Sequence, residues 1–252
     1  MSAYLSSPAP ANGPPRLFCF PHAGGGPSAY ARWPALLGRS AQVMAVRLPG
    51  HEGRFDEPRP TSLTDLVTDL LTDLAPHLHP PYILYGHSMG ALIAYALSVG
   101  LATAPASTAP VAAPAALIVA ACRAPHLPVP LAPDDDCQLV AALQALGGFP
   151  PQLAGRPEWL SVLLPLVRDD LRLSRCPLPP AAPLPCGVTA LAVEDDPIAP
   201  LSDVRQWRAY TRGRFTVRTV GGGHFCHRDA APAVTAVVAG AIAGVLRSTH
   251  PG

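Results

Sequence analysis

The chain has 252 residues, 49% of them hydrophobic and 14% charged, with a formal net charge of +1. That length and apolar content suit one large domain with a full buried core, and the near-neutral balance without basic runs leaves no electrostatic footprint for nucleic acid or an anionic membrane face. All 18 basic residues are arginine, and the six cysteines (Cys19, Cys122, Cys137, Cys176, Cys186, Cys226) form no Cys-x-x-Cys pair, so zinc ribbons and redox motifs are unsupported and a reduced cytosolic setting is expected.

Met1 to Pro15 carries neither the basic start nor the apolar centre of a signal peptide and reads as a frayed leader. The short apolar run Leu17–Phe20 reads as a buried strand, leading into Pro21-His22-Ala23-Gly24-Gly25-Gly26. Such a turn could cradle a phosphate, but the Lys-Ser/Thr of a P-loop is missing. His22 reads as a structural or pocket-lining residue. Val43–Val46 is the next strand, and His51, in Leu48-Pro49-Gly50-His51-Glu52-Gly53-Arg54, reads as a turn residue, with a place in the cleft as the alternative. Thr64 to Leu78 carries Leu66, Val67, Leu70, Leu71 and Leu74 at helical spacing, with Asp65, Asp69 and Asp73 on a solvated face.

Ile83–Tyr85 is followed at once by Gly86-His87-Ser88-Met89-Gly90 and then by the helical pattern Ala91–Leu97. Strand, Gly-x-Ser-x-Gly and helix in that order form the nucleophile elbow of an α/β-hydrolase. A serine hydroxyl is a weak nucleophile near neutral pH, so it must stand bare at a sharp turn where a histidine can take its proton. Gly86 and Gly90 offer no Cβ to block that turn. The Met89 N–H is left beside the hydroxyl, and the glycine-rich loop after Leu17–Phe20 supplies the second donor of an oxyanion hole, assigned to Ala23.

No charged residue falls between Ser88 and Cys122, but Pro105, Pro110 and Pro114 interrupt the stretch. It predicts a buried helix, an exposed connector at 101–115 and a core strand at Ala116–Ala121 rather than a membrane span. From about residue 125 to 185 the rhythm breaks: Asp136–Leu146 and Glu158–Leu173 are helix-like with no convincing strand between them. An insertion at this point of an α/β-hydrolase lies over the nucleophile as a lid. The plainer alternative is a pair of helices that thicken the domain edge.

Val188–Val193 runs into Glu194-Asp195-Asp196-Pro197, and Phe215–Val220 into Gly221-Gly222-Gly223-His224. Hydrolase chain order asks for an acid after the next-to-last strand and a histidine after the last, at the carboxyl ends where functional groups gather in wound sheets. Of nine histidines His224 alone has that placement; His77 and His79 end a helix, His227 comes one turn too late and His250 lies in the tail. His224 is therefore the predicted general base. Glu194 reads as still part of the strand, and Asp196 is favoured over Asp195 because Pro197 pushes it toward extended backbone. Ala231–Leu246 reads as a closing helix. Strands alternating with helices give an α/β fold, a mostly parallel central sheet flanked by helices, in one domain over residues 1–252.

Together, Phe20-Pro21-His22-Ala23-Gly24-Gly25, Pro49-Gly50, Gly86-His87-Ser88-Met89-Gly90, Arg123-Ala124-Pro125-His126, Leu171-Arg172-Leu173, Asp196-Pro197 and Gly222-Gly223-His224-Phe225 make the chain resemble type II thioesterases of polyketide and nonribosomal peptide biosynthesis. The likeness runs from about Arg16 to the end of the chain. It implies Ser88, Asp196 and His224 as a catalytic triad, Ala23 and Met89 as oxyanion donors, and no cofactor of the enzyme's own. It also implies a substrate: an acyl or aminoacyl group held as a thioester on the phosphopantetheine arm of an acyl or peptidyl carrier protein. A cytoplasmic monomer without nucleic-acid or membrane partners is expected. Three departures bear on acyl preference: Val193 stands where the family commonly has glycine, Cys226-His227 follows His224-Phe225, and Ser174 to Pro185 is unusually proline-rich. A broad carboxylesterase or lipase with the same triad, or an inactive hydrolase fold serving as a binding module, are the alternatives.

Overall fold

In the computed structural model, residues 2–6, 13–103, 112–130, 132–148, 156–178 and 181–249 are described. The apolar runs become β1 (Arg16–Phe20), β2 (Gln42–Ala45), β3 (Tyr82–His87), β4 (Ala116–Ala120), β5 (Gly187–Val193) and β6 (Phe215–Val220). They join in the order β2-β1-β3-β4-β5-β6, every neighbouring pair parallel. The strands β1, β3 and β4 are buried at every residue. That is why they read as unbroken apolar runs: a parallel sheet is covered on both faces.

The covering helices are α1 (Trp33–Leu37), α2 (Leu63–Leu74), α3 (Met89–Thr103), α4 (Asp136–Ala145), α5 (Pro157–Leu173), α6 (Leu201–Arg205), α7 (Cys226–Asp229) and α8 (Ala231–Thr249). Successive strand residues point to opposite faces, so Phe18, Leu84 and Leu117 meet α2 and α3, whereas Leu17, Ile83 and Ile118 meet Trp33 of α1 and Val234 and Val238 of α8. The Ser62 hydroxyl caps α2 by accepting the Asp65 N–H, and the Leu63, Leu66, Val67, Leu70 and Leu74 stripe is buried. Helix α3 is buried almost all round, which explains the charge-free stretch. Among the described residues no helix is long and apolar enough to cross a membrane.

Three expectations change. Residues 2–6 are not frayed: Tyr4 and Leu5 are buried, and Leu5 bridges antiparallel to Val46 beside β2. Asp73, expected on a solvated face, anchors them by accepting from the Ser2 hydroxyl and, at 3.1 Å, from the Ala3 N–H. The segment gains burial by covering a sheet edge that would otherwise be open. The strand β5 ends at Val193, leaving Glu194 exposed in the following turn. Of the connector at 101–115, residues 101–103 complete α3 with Leu101 buried, and 104–111 lie outside the described residues.

The helices α4 and α5 both fall between β4 and β5. Arg168 of α5 ties them together, donating to the carbonyls of Pro133 and Asp134 and to the Asp136 carboxylate, each at 2.7 Å.

Candidate active site

The strand β3 delivers its chain to Ser88, which sits at φ 54° between strand and helix. That left-handed conformation is costly for a residue with a Cβ and marks a turn held by its surroundings; the Ser88 N–H bonds the Ala120 carbonyl at 2.9 Å. A Cβ on Gly86 would overlap the Gly90 carbonyl, and one on Gly90 would overlap the Phe20 carbonyl at the end of β1. The two glycines are needed because the turn folds against itself and against the neighbouring strand.

His224 arrives from the other side of the sheet. Val193 and Val220 are paired, so the loops after β5 and β6 leave side by side, and Gly222, at φ 104°, bends the second one. His224 Nε2 lies 3.1 Å from Ser88 Oγ, and its Nδ1 lies 2.8 Å from Asp196 Oδ2. The other Asp196 oxygen accepts the N–H groups of Ile198 at 2.9 Å and Ala199 at 3.3 Å. A carboxylate so bound takes the Nδ1 proton as acceptor and leaves Nε2 bare toward the serine. Asp196 is buried, whereas Asp195 and Glu194 are exposed. Of the three acids, only Asp196 meets the histidine.

Behind His224 stands a wall of imidazoles, with His87 and His227 buried and His22 half-buried where it lines the cavity. His87 Nε2 donates to the His224 carbonyl at 2.7 Å, and the His227 ring lies 3.9 Å from that of His87 and 4.8 Å from that of His22, centroid to centroid. Burial, reinforced by the charges of neighbouring histidines, lowers His22 to about 3 and holds His87 and His227 well below the ordinary value. The wall is therefore neutral near pH 7. Among the described residues no cluster of His, Cys, Asp or Glu is arranged to hold a metal ion.

Ala23 and Met89 line the same cavity as Ser88 and His224. Met89 opens α3, so its N–H has no acceptor within the helix. The cavity, about 550 Å³, is walled by Leu92 of α3, Leu139 and Leu143 of α4, Val167 and Leu171 of α5, and Phe225. The inserted helices thus cover the serine rather than thicken a distant edge.

One pair escapes the sequence reading. His51 closes a turn, its N–H bonding the Leu48 carbonyl at 3.2 Å, but its ring is buried away from the cleft, with Nδ1 3.0 Å from the Pro49 carbonyl and Nε2 2.8 Å from Asp170 of α5. Asp170 falls on the face of α5 that buries Leu166, Val167 and Leu173. An acid within an apolar helical stripe was the available signal, since such a group is buried only with a partner.

A doubly covered parallel sheet, a strained serine between strand and helix, and a histidine and an aspartate delivered from later strands define an α/β-hydrolase. The thioesterase domain family matches residues 15–241, and the chain belongs to that family. It is 35% identical over 228 residues to a probable cadicidin biosynthesis thioesterase of Streptomyces griseus, covering 90% of this chain and 62% of that protein's length. Among solved structures it is similar to the RedJ thioesterase of the prodiginine pathway in Streptomyces coelicolor, with a TM-score of 0.82 and 34% identity over 94% of this chain and 97% of that one. The type II thioesterase BorB of the borrelidin cluster superposes with a TM-score of 0.80 and 31% identity, covering 94% and 96% of the two chains.

Proposed function

We propose that the protein is a serine thioesterase that releases acyl or aminoacyl groups from the phosphopantetheine arm of carrier proteins, editing polyketide or nonribosomal peptide assembly in the cytoplasm. The observation that carries this reading is the unbroken relay of Ser88, His224 and Asp196 at the wall of an apolar cavity roofed by α4 and α5. The biosynthetic names of its relatives support the substrate, and six free cysteines support a reducing compartment.

The chemistry needs only these groups, the thiol and water. His224 takes the Ser88 proton as the serine oxygen attacks the thioester carbonyl, and the N–H groups of Ala23 and Met89 receive the oxyanion. Collapse breaks the carbon–sulfur bond, and the imidazolium gives its proton to the departing pantetheine thiolate. Water, deprotonated by His224, then attacks the acyl-serine, and the same proton returns to Ser88 as the free acid leaves. Asp196 holds the imidazole in the right tautomer and balances its transient positive charge.

Hydrolysis of a panel of acyl- and aminoacyl-carrier proteins, set against aryl esters of the same acyl groups, tests the proposal. Carrier-bound thioesters should be preferred in kcat/KM, a fluorophosphonate should label Ser88, and Ser88→Ala should lose on the order of 10⁴-fold or more in kcat. A large preference for the aryl ester overturns the carrier-protein reading. Near-normal turnover by Ser88→Ala overturns the mechanism.

A further inference from the structure

We infer that Asp170, carried on the lid helix α5, is a positioning residue for the oxyanion hole: it holds the Gly24 amide, so the Ala23 donor is set in place only while α5 is docked. The inference rests on the reading of Ala23 as an oxyanion donor. Asp170 Oδ2 accepts the Gly24 N–H at 2.6 Å and faces His51 Nε2 at 2.8 Å. Gly24 follows Ala23 directly, so fixing its amide fixes the peptide plane that leaves Ala23 and restrains the loop presenting the Ala23 N–H.

Packing enforces the same link. Gly24 sits at φ +76°, and a Cβ there would come within 2.7 Å of Val167 Cγ2. Val167 and Asp170 stand three residues apart, adjacent on one face of α5. The helix therefore touches the loop twice, once by van der Waals contact and once by a charge-assisted hydrogen bond. A loop free of α5 would keep neither restraint.

His51 makes the buried carboxylate possible. Its Nδ1 faces the Pro49 carbonyl, which can only accept, and its Nε2 faces the Asp170 oxygen that already receives the Gly24 N–H. Both ring nitrogens are thus donors, and the imidazolium balances the Asp170 charge. Asp170 is 2% exposed and His51 1%, and an unpaired carboxylate at that depth would be strongly disfavoured. Next to it, Asp169 pairs with Arg59 at 2.5 Å, so two adjacent acids of α5 grip the segment that follows β2. The lid and the donor loop are in this way one mechanical unit.

The test uses the full chain with Asp170→Ala and Asp170→Asn, read by steady-state kinetics on an acyl-carrier protein and by the Gly24 amide proton resonance. Asp170→Ala should lower kcat about 10- to 100-fold with KM within twofold, short of the loss of about 10²–10³ seen when an oxyanion donor is deleted outright. Asp170→Asn keeps an oxygen for the amide but loses the charge. It should restore most of the rate and move the Gly24 amide upfield. The inference is overturned if KM rises while kcat holds, or if Asp170→Asn leaves the Gly24 resonance where it stands. Should Asp170→Ala fail to fold, Asp170→Asn decides by the same two readouts. A wild-type chain that fluorophosphonate does not label and that leaves thioesters intact overturns the underlying function instead. Wild-type turnover with unresponsive variants overturns this inference alone.

Discussion

His87, the residue immediately before the proposed nucleophile, holds the backbone of the proposed base: its Nε2 lies 2.7 Å from the His224 carbonyl oxygen. The bond requires the neutral tautomer with hydrogen on Nε2, leaving Nδ1 to accept from the Tyr85 hydroxyl at 3.3 Å. Full burial keeps that neutral form by pushing the His87 pKa far down. His87→Phe preserves the ring volume and removes the donor. Losing one buried hydrogen bond of about 1 kcal/mol predicts a fall in kcat of roughly fivefold to tenfold with KM unchanged. Unchanged kcat would show that packing alone positions His224.

The choice between neighbouring acids is equally open to test. Asp196 receives the imidazole and two backbone N–H groups, whereas the Asp195 side chain is exposed. Asp196→Asn presents an amide that can orient the ring in the wrong tautomer, and kcat should fall about 10⁴-fold, as in the best-studied serine triad. Asp195→Asn should stay within twofold. Reversed sensitivities in the same assay would move the acid to Asp195.

What could be read from the chain follows the range of the forces involved. Ser88 was legible because the elbow follows the fully buried β3. His224 was legible because chain order asks for a histidine just after the last strand, β6, although that edge strand is itself only partly apolar and partly buried. The strand β3 was itself legible, being covered on both faces. The His51 and Asp170 pair joins positions 119 residues apart; nothing near His51 announces a partner, and only the acid on the apolar face of α5 gave a one-sided hint. Tyr4 and Leu5 were misread because their burial depends on the edge of β2, a surface that exists only once the sheet has formed. Glu194 was misread by a single residue at a strand end, where periodicity has no resolving power.

Two glycines should answer oppositely to alanine. At Gly90 a Cβ would overlap the Phe20 carbonyl, a backbone atom at the end of β1 that cannot rotate aside. Gly90→Ala should unfold the elbow or destabilise the chain by several kcal/mol, of the order of the larger core substitutions. Gly240 lies exposed within α8 with nothing within 4 Å of an added Cβ. Gly240→Ala should raise stability by about 0.5–1 kcal/mol through helix propensity. Urea midpoints of both variants check the pair, and a stable Gly90→Ala would contradict the described contact between elbow and β1.

The imidazole wall also sets how the fold responds to acid. In the unfolded chain His22, His87 and His227 take a proton near the ordinary value of 6.5, while in the folded protein His22 takes one only at about 3 and the other two well below 6.5. The unfolded state therefore binds more protons as the pH falls. The contribution of these three is whole above pH 6.5 and declines below it, with a slope on the order of 1.4 kcal/mol per pH unit for each histidine. His51 works in the other direction. Although burial opposes its charge, the hydrogen bond and charge of Asp170 leave its pKa raised, so its contribution is present below 6.5 and fades as the pH rises through that raised value. Well below 6.5 His51 is protonated in both states and cannot offset the three depressed histidines. Urea unfolding between pH 7 and pH 5 should show a steep loss, and His227→Phe should lower the slope by about one proton. A flat profile over that range would mean that the imidazole wall admits protons without unfolding.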